Sequence, residues 1–201
     1  MPLLNIFGKT GNHERKIIDL ESDSYKHVAK ALPTTEKNNV ITFLHNTPEK
    51  KTAKKIIKEG FRFAEDLAYT TDCIKTPSDD VLYRWNMERN PYGRYTVVIQ
   101  IDENLYKSLL ENPKLSEKGL FPEHALSKDR YFEDEENDDW MYRLSNKFVR
   151  GVVDRKTGKF YRNRKFNPSY FDGETMERNV DRWDLKTERL TPREYTFDTA
   201  V

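Results

Sequence analysis

The sequence lacks the features that would tie it to an oxidising compartment or to a membrane. It contains one cysteine, Cys73, so no internal disulfide can form. No apolar run approaches the roughly 18 residues that cross a bilayer. The apolar start of the chain, residues 1–7, is too short for a signal peptide. We therefore expect a cytoplasmic protein without membrane contact, with delivery by a dedicated secretion machine left open.

An excess of charge of either sign is also missing. The chain has 35 lysines and arginines against 34 aspartates and glutamates, for a net charge of +1. No global field would recruit nucleic acid or a membrane, so any such contact must come from a local patch. Apolar residues make up only 36% of the chain and aromatic residues 12%. These values predict one domain with a bulky core and long polar loops.

Strand patterns outnumber helical patterns in the middle of the chain. The run 95–101 is β-branched and almost entirely apolar, which is typical of a central strand. Further strands are predicted at 40–44, 68–71, 140–144, 148–153 and 159–162. A helix is predicted from Asp23 or Ser24 to Leu32, and a second at 48–59, with Thr47 as its cap and Gly60 at its end. Two further helices are predicted, one capped by Ser78 and running to about residue 87, and one at 103–110 after Asp102.

This order of elements predicts the fold class. The strands do not alternate with helices in βαβ units, so we predict an α+β fold with a largely antiparallel sheet. Residues 1–39 form an N-terminal arm, 40–166 the core and 167–201 a C-terminal extension. Residues 111–130 and the chain from about 167 onward are expected to be irregular.

A histidine closes the first strand of the predicted core. His45 ends an apolar run and is followed by Asn46 and Thr47. Imidazole and backbone groups can hydrogen-bond a ribose hydroxyl and a carboxamide, and Thr47 lies on the same face of an extended chain. A nicotinamide riboside needs such fixed polar partners and an aromatic platform. The alternative is a histidine that only satisfies the end of a strand.

The spacing of these residues resembles the ADP-ribosyltransferase superfamily, whose substrate is NAD. In that family a strand ends in histidine, then any residue, then threonine or serine. A helix follows whose end carries a glycine and an aromatic residue, as residues 56–61 do here. Tyr69 and Thr71, on a predicted strand, are similar to the family's next motif. Tyr83 lies where the family has the tyrosine that stacks on nicotinamide. The resemblance implies two facing, mostly antiparallel sheets with a cleft, flanked by short helices. Ordinary core aromatics are the alternative for both tyrosines.

An acid before a late strand completes the family pattern. Asp139 precedes the run 140–144, and a strand similar to the family's closing hairpin follows at 148–153. Cleavage of nicotinamide from NAD develops oxocarbenium character, which a nearby carboxylate stabilises. Most members have glutamate there, the rifampicin-modifying branch has aspartate, and Glu136 is the second candidate. The acidic run 133–139 as a whole is otherwise a solvated loop.

The resemblance implies transfer of ADP-ribose from NAD to an acceptor, with His45, Tyr83 and Asp139 catalytic. Residues 45–47, Tyr69, Thr71 and Tyr83 would bind NAD, and the biological setting is open between a toxin or effector, phage defence and housekeeping. The acceptor is a protein, a nucleic acid or a small molecule. The alternative is an inactive module on the same fold that binds a ligand, a protein or nucleic acid.

Other chemistries receive less support from the residues. The basic, aromatic run 159–166 is a possible nucleic-acid contact, although strand alternation would also place aromatics inward and cations outward. Cys73 has no histidine near it in sequence, which favours a small hydrophobe over a nucleophile. The four histidines are scattered, so we predict no metal site. Asp102, Glu103, Asp154 and Lys156 only faintly suggest a metal-dependent nuclease.

Overall fold

The computed structural model describes residues 20–32, 39–64, 66–74, 77–89, 92–134 and 139–184. Its strands are β1 (Val40–Thr47), β2 (Phe61–Ala64), β3 (Asp72–Ile74), β4 (Tyr95–Asp102), β5 (Ser127–Asp134), β6 (Asp139–Leu144), β7 (Val149–Asp154) and β8 (Phe160–Arg162). Its α-helices are α1 (Tyr25–Ala31), α2 (Lys50–Glu59), α3 (Leu67–Thr70), α4 (Asp79–Arg89), α5 (Glu103–Leu110), α6 (Pro113–Ser116), α7 (Pro122–Ala125) and α8 (Gly173–Asp184). Over these residues, no helix has the length and apolar character of a membrane span.

The strands form two antiparallel sheets. Sheet A has five strands in the order β3-β1-β4-β7-β8, and sheet B has three in the order β2-β6-β5. Every pairing between the described strands is antiparallel. The predicted α+β class with antiparallel sheets is therefore confirmed. β4 lies at the centre of sheet A and is buried from Tyr95 to Ile101, as its continuous apolar pattern predicts.

Sheet A has two faces with different neighbours, because successive side chains of a strand point to opposite sides. Phe43, Val97 and Ile99 lie on the core face, in a cluster that also contains residues of sheet B and α2. Leu44 and Val98 lie on the other face, where α1 and α4 cover them. We call this second surface the α4 face. The two faces determine which candidate residues can meet.

Several predicted boundaries are confirmed by local hydrogen bonds. Ser78 Oγ accepts from Val81 N at 3.3 Å before α4. The Asp102 carboxylate accepts from Asn104 N and from Leu105 N, each at 3.0 Å, and so caps α5. Gly60 ends α2 with a φ of 107°, a left-handed value that glycine adopts without strain. α2 itself begins at Lys50 with Glu49 as the N-cap, so the prediction that Thr47 caps it was wrong.

Three segments differ from their sequence predictions. Residues 68–71, predicted as a strand, form most of α3 and the turn that follows it. The segment 111–130, expected to be irregular, contains α6 and α7 and the start of β5, and its Leu115 and Ala125 are buried in the core. Beyond residue 167 the chain forms α8, whose Val180 also enters the core. Prolines at the first positions of α6 and α7 start short helices that a periodicity argument does not detect.

Candidate functional site

His45 lies on the core face of sheet A, opposite Val97 of β4. Its ring is half-buried and stands edge-on to Phe61, with 5.0 Å between the ring centroids. His45 Nδ1 lies 3.0 Å from the carbonyl oxygen of Thr70. A carbonyl oxygen only accepts, so Nδ1 carries the hydrogen, and Nε2 of the neutral ring is a hydrogen-bond acceptor.

Burial keeps this imidazole neutral. Loss of hydration lowers the pKa of His45 below its usual 6.5, while the bond to Thr70 and the charge of Asp72 act in the opposite direction. At neutral pH the ring therefore presents an acceptor at Nε2. A ribose hydroxyl could donate to it.

α3, the single helical turn that receives the His45 hydrogen bond, is fixed at both of its ends. Asp66 Oδ1 accepts from Tyr69 N at 2.6 Å, and Thr71 Oγ1 donates to Leu67 O at 2.7 Å. These capping bonds explain why residues 68–71 do not form a strand, since they satisfy groups that a sheet would otherwise pair. Tyr69 is 78% exposed on this turn, and Thr71 is buried immediately after it.

A buried carboxyl group accepts a hydrogen bond from the first residue of α3. Glu123 of α7 is only 2% exposed, and its Oε1 accepts from Leu67 N at 3.0 Å. Its Oε2 accepts from the hydroxyl of Tyr106, on α5, at 3.1 Å. Burial raises the pKa of Glu123 and also that of Tyr106. Glu123 thus connects α3, α5 and α7, and α3 carries the Thr70 carbonyl that accepts from His45.

Sequence reasoning did not find Glu123. It lies in the segment 111–130, where a glutamate in an apparently irregular, polar stretch is normally solvated. Only the tertiary structure shows that this carboxyl group is enclosed. No spacing rule in the sequence connects it to Leu67 or to Tyr106.

The structure separates Asn46 from His45 and keeps Thr47 on the His45 side. Asn46 points to the α4 face, where its Nδ2 donates to Arg89 O at 3.1 Å and its Oδ1 accepts from Thr96 Oγ1 at 2.7 Å. Thr47 is buried on the core face. Alternation along β1 therefore places His45 and Thr47 on one side of sheet A, and α3, which carries Tyr69, is joined to His45 through Thr70.

Tyr83 lies on the opposite side of sheet A from His45. It belongs to α4, which packs on the α4 face, and its ring is 5.6 Å from that of Tyr25. Leu44, the neighbour of His45 in β1, points toward α4, so His45 itself points away from it. The structure does not bring Tyr83 to His45, because α4 packs on the face of sheet A opposite to His45. Among the candidate rings, Tyr69 is the one attached to the His45 partner Thr70.

Asp139 begins β6 in sheet B, opposite Asp134. Its backbone is five residues from Leu144, which pairs with Phe61, the residue whose ring contacts that of His45. Antiparallel strands rise about 3.4 Å per residue, so about 17 Å of strand separates Asp139 from the His45 end of β6. The structure does not bring the Asp139 backbone to His45. Glu136, the second candidate acid, lies outside the described residues.

The carboxylates that suggested a nuclease have local structural partners. Asp102 caps α5 as described above, and Asp154 accepts from Arg94 Nε at 2.6 Å and lies in an ion pair with the same guanidinium. Arg94 and other donors hold the pKa of Asp154 below its usual value, against the effect of burial. Within the described part of the chain, no group of three or more histidine, cysteine, aspartate or glutamate side chains is arranged to hold a metal ion.

The basic run 159–166 is divided between the two faces of sheet A. Tyr161 pairs with Val152 and packs against the core cluster beside α2, whereas Phe160 packs on the α4 face. Lys50 Nζ and Lys159 Nζ each lie 5.3 Å from the centroid of the Tyr161 ring. Phe160 and Tyr161 of this run therefore lie on opposite faces of sheet A, and Tyr161 lies beside Lys50 of α2.

The chain was compared with protein-family models, with curated proteins and with solved structures, and no match was found in any of the three.

Proposed function

We propose that this chain binds NAD beside His45 and transfers ADP-ribose from it to an acceptor. The observation that carries the proposal is the hydrogen bond from His45 Nδ1 to Thr70 O. It fixes the imidazole and leaves Nε2 as an acceptor for a hydroxyl of the nicotinamide ribose. The order of motifs, from His45-Asn46-Thr47 through Gly60-Phe61 to Tyr69, supports NAD as the substrate.

The surroundings of His45 suit the nicotinamide end of the substrate. Tyr69, largely exposed and adjacent to Thr70, offers an aromatic face for the nicotinamide ring. The ring of Phe61 packs edge-on against the imidazole and limits its rotation. A fixed imidazole loses little freedom when the ribose binds, which favours affinity.

The proposed reaction breaks the bond between C1′ of the ribose and the nicotinamide nitrogen. Nicotinamide leaves with the bonding electrons, the acceptor attacks C1′, and the acceptor loses a proton to solvent or to a base. Positive charge develops on the ribose, so a carboxylate near it would lower the barrier. Asp139 and Glu136 are the acids that the order of motifs proposes for this role.

A second candidate function is NAD binding without transfer. The specific observation in its favour is the position of two predicted catalytic residues. Tyr83 lies across sheet A from His45, and the Asp139 backbone lies at the far end of β6. Such a protein would be a binding module on the same fold.

Release of free nicotinamide distinguishes the two functions. We expect the wild-type chain to release nicotinamide from NAD, slowly if water is the acceptor. Asp139→Asn and Glu136→Gln should be measured beside it, because the variant of the acting acid should lose about 10²–10³-fold in turnover with little change in NAD affinity. NAD binding without any nicotinamide release would favour the binding module.

A further inference from the structure

Helix α2 exposes a dense positive face. Lysines occupy five of its ten positions, and all five are exposed, namely Lys50, Lys51, Lys54, Lys55 and Lys58. Glu59 is the one acid of the helix, and it lies 3.9 Å from Lys55. Because the whole chain has a net charge of only +1, this helix concentrates positive charge that is balanced elsewhere. We call this surface, together with Lys147 and Lys159, the lysine face.

The lysines are arranged in rows along the helix. Lys50, Lys54 and Lys58 are spaced by four residues and therefore lie above one another, about 12 Å from first to last. Lys51 and Lys55 form a parallel row. Like charges at this spacing repel one another, so the helix is stabilised when an anion binds between them. A regular series of charges suits a ligand with a regular series of negative groups.

The lysine face continues beyond both ends of α2. At its beginning, Lys50 and Lys159 approach the same Tyr161 ring, each 5.3 Å from the centroid. At its end, Asn146 Nδ2 donates to the carbonyl of Lys58 at 3.0 Å, which places the next residue, Lys147, beside the helix. Lys147 Nζ in turn lies 5.5 Å from the centroid of the Tyr170 ring.

The apolar side of α2 argues against a membrane surface as the partner. Ala53 is buried in the core, and Ile56 and Ile57 pack against it. A helix that lies on a bilayer inserts large apolar side chains between the lipids. On α2 these side chains are already used inside the protein, and the outward face is lysine. Positive charge beside tyrosine rings is instead typical of nucleic-acid contacts.

We propose that the lysine face binds the phosphodiester backbone of a nucleic acid. The inference is independent of NAD use, since it depends on the surface of α2 and not on His45. Contacts of this kind are electrostatic and sequence-independent. If the seven lysines each neutralise one phosphate of a single strand, the logarithm of affinity should fall with the logarithm of salt concentration with a slope of about −5.

The test uses the full chain and a fluorescent oligothymidylate of about twenty nucleotides, with anisotropy read at several salt concentrations. The variant K51Q/K54Q/K58Q removes three charges from the lysine face. The matched control K26Q/K30Q/K114Q removes three exposed lysines of α1 and α6. We expect the first variant to reduce the salt slope by about 2 and the control to leave it nearly unchanged.

A charge-conserving variant guards against a change in folding. K51R/K54R/K58R should bind the oligonucleotide at least as well as the wild type. Equal loss of affinity in the control and in the α2 variant would overturn the proposal, as would wild-type binding with no salt dependence. Tighter binding to phosphatidylserine vesicles than to the oligonucleotide at the same salt would assign the face to a membrane and also overturn it.

Discussion

His45 of β1 and Thr70 of α3 are joined by a hydrogen bond of 3.0 Å from the imidazole Nδ1 to the backbone carbonyl. The bond connects the end of a sheet strand to a single helical turn. That turn is held in place by Glu123, which accepts from Leu67 N at 3.0 Å. His45 is thus connected through α3 to a buried carboxyl group that lies on a third element, α7.

The protonation of His45 should make stability depend on pH. Burial lowers the pKa of the folded-state imidazole below 6.5, so the unfolded chain binds a proton more readily. The contribution of His45 to the free energy of unfolding is complete above about pH 6.5 and is lost as the pH falls through the lower folded-state pKa. Urea unfolding of the wild type and of His45→Gln should show this loss only in the wild type. Parallel pH curves for the two proteins would contradict it.

Substitution of the two candidate tyrosines should have unequal effects on NAD affinity. Tyr69→Ala removes an exposed ring next to the His45 partner and should weaken NAD binding by about 0.5–1.5 kcal/mol. Tyr69→Phe should keep most of the affinity, because the ring supplies the contact. Tyr83→Ala is the matched control, since that ring lies across sheet A. A larger loss with Tyr83→Ala, measured by calorimetry, would return the stacking role to Tyr83.

Glu123 should be replaceable by glutamine but not by alanine. Glu123→Ala leaves Leu67 N and the Tyr106 hydroxyl without their acceptor, which should cost about 2–4 kcal/mol in the free energy of unfolding. The glutamine of Glu123→Gln keeps an oxygen that accepts from Leu67 N, and its amide nitrogen donates to the hydroxyl oxygen of Tyr106. Equal destabilisation by both substitutions, measured by urea unfolding, would show that shape and not hydrogen bonding matters here.

The same pair of proteins tests the titration of Glu123. Burial raises its folded-state pKa above 4.5, so the folded chain retains a proton that the unfolded chain has lost. This contribution to stability is complete below about pH 4.5 and is lost as the pH rises through the higher pKa. Glu123→Gln should therefore gain stability relative to the wild type between about pH 4.5 and 7. A constant difference across that range would be inconsistent with a raised pKa.

Gly60 should tolerate no side chain. Its φ is 107°, and a Cβ at this position would overlap the carbonyl oxygen of Leu144 in β6. Gly60→Ala combines left-handed strain with a backbone clash, and we expect a loss of more than about 2 kcal/mol. Gly119→Ala is the control, because its φ of 62° carries the strain but nothing lies within 4 Å of the added Cβ. Thermal melts with equal losses for the two variants would contradict the clash.

The fold class was predictable from the sequence because strand patterns are local. The run 95–101 specified the central strand, and Gly60 and Asp102 specified ends of helices through backbone conformation and capping. α3 was not predictable in the same way. Its threonine and tyrosine favour a strand by propensity, and bonds to Asp66 and to the distant Glu123 override that preference.

The candidate site was only partly predictable, for a reason of geometry. Sequence spacing gave His45 and Thr47 on one face of β1, since alternation along a strand is fixed. Sequence spacing did not predict that α4 packs on the other side of sheet A, which separates Tyr83 from His45. Nor did it give the pairing of β6 with β2, which sets Leu144 and not Asp139 opposite Phe61. Both depend on connections between elements that no local pattern encodes.

Titration of NAD into the wild type and into His45→Ala, by calorimetry at pH 7.5, tests the central claim most directly. We predict saturable binding to the wild type and a loss of about 1–3 kcal/mol in the folded variant, because the ribose hydroxyl loses its acceptor at Nε2. Circular dichroism of the variant shows whether it is folded. Unchanged NAD affinity in a folded His45→Ala protein, or no binding by the wild type, would contradict the account.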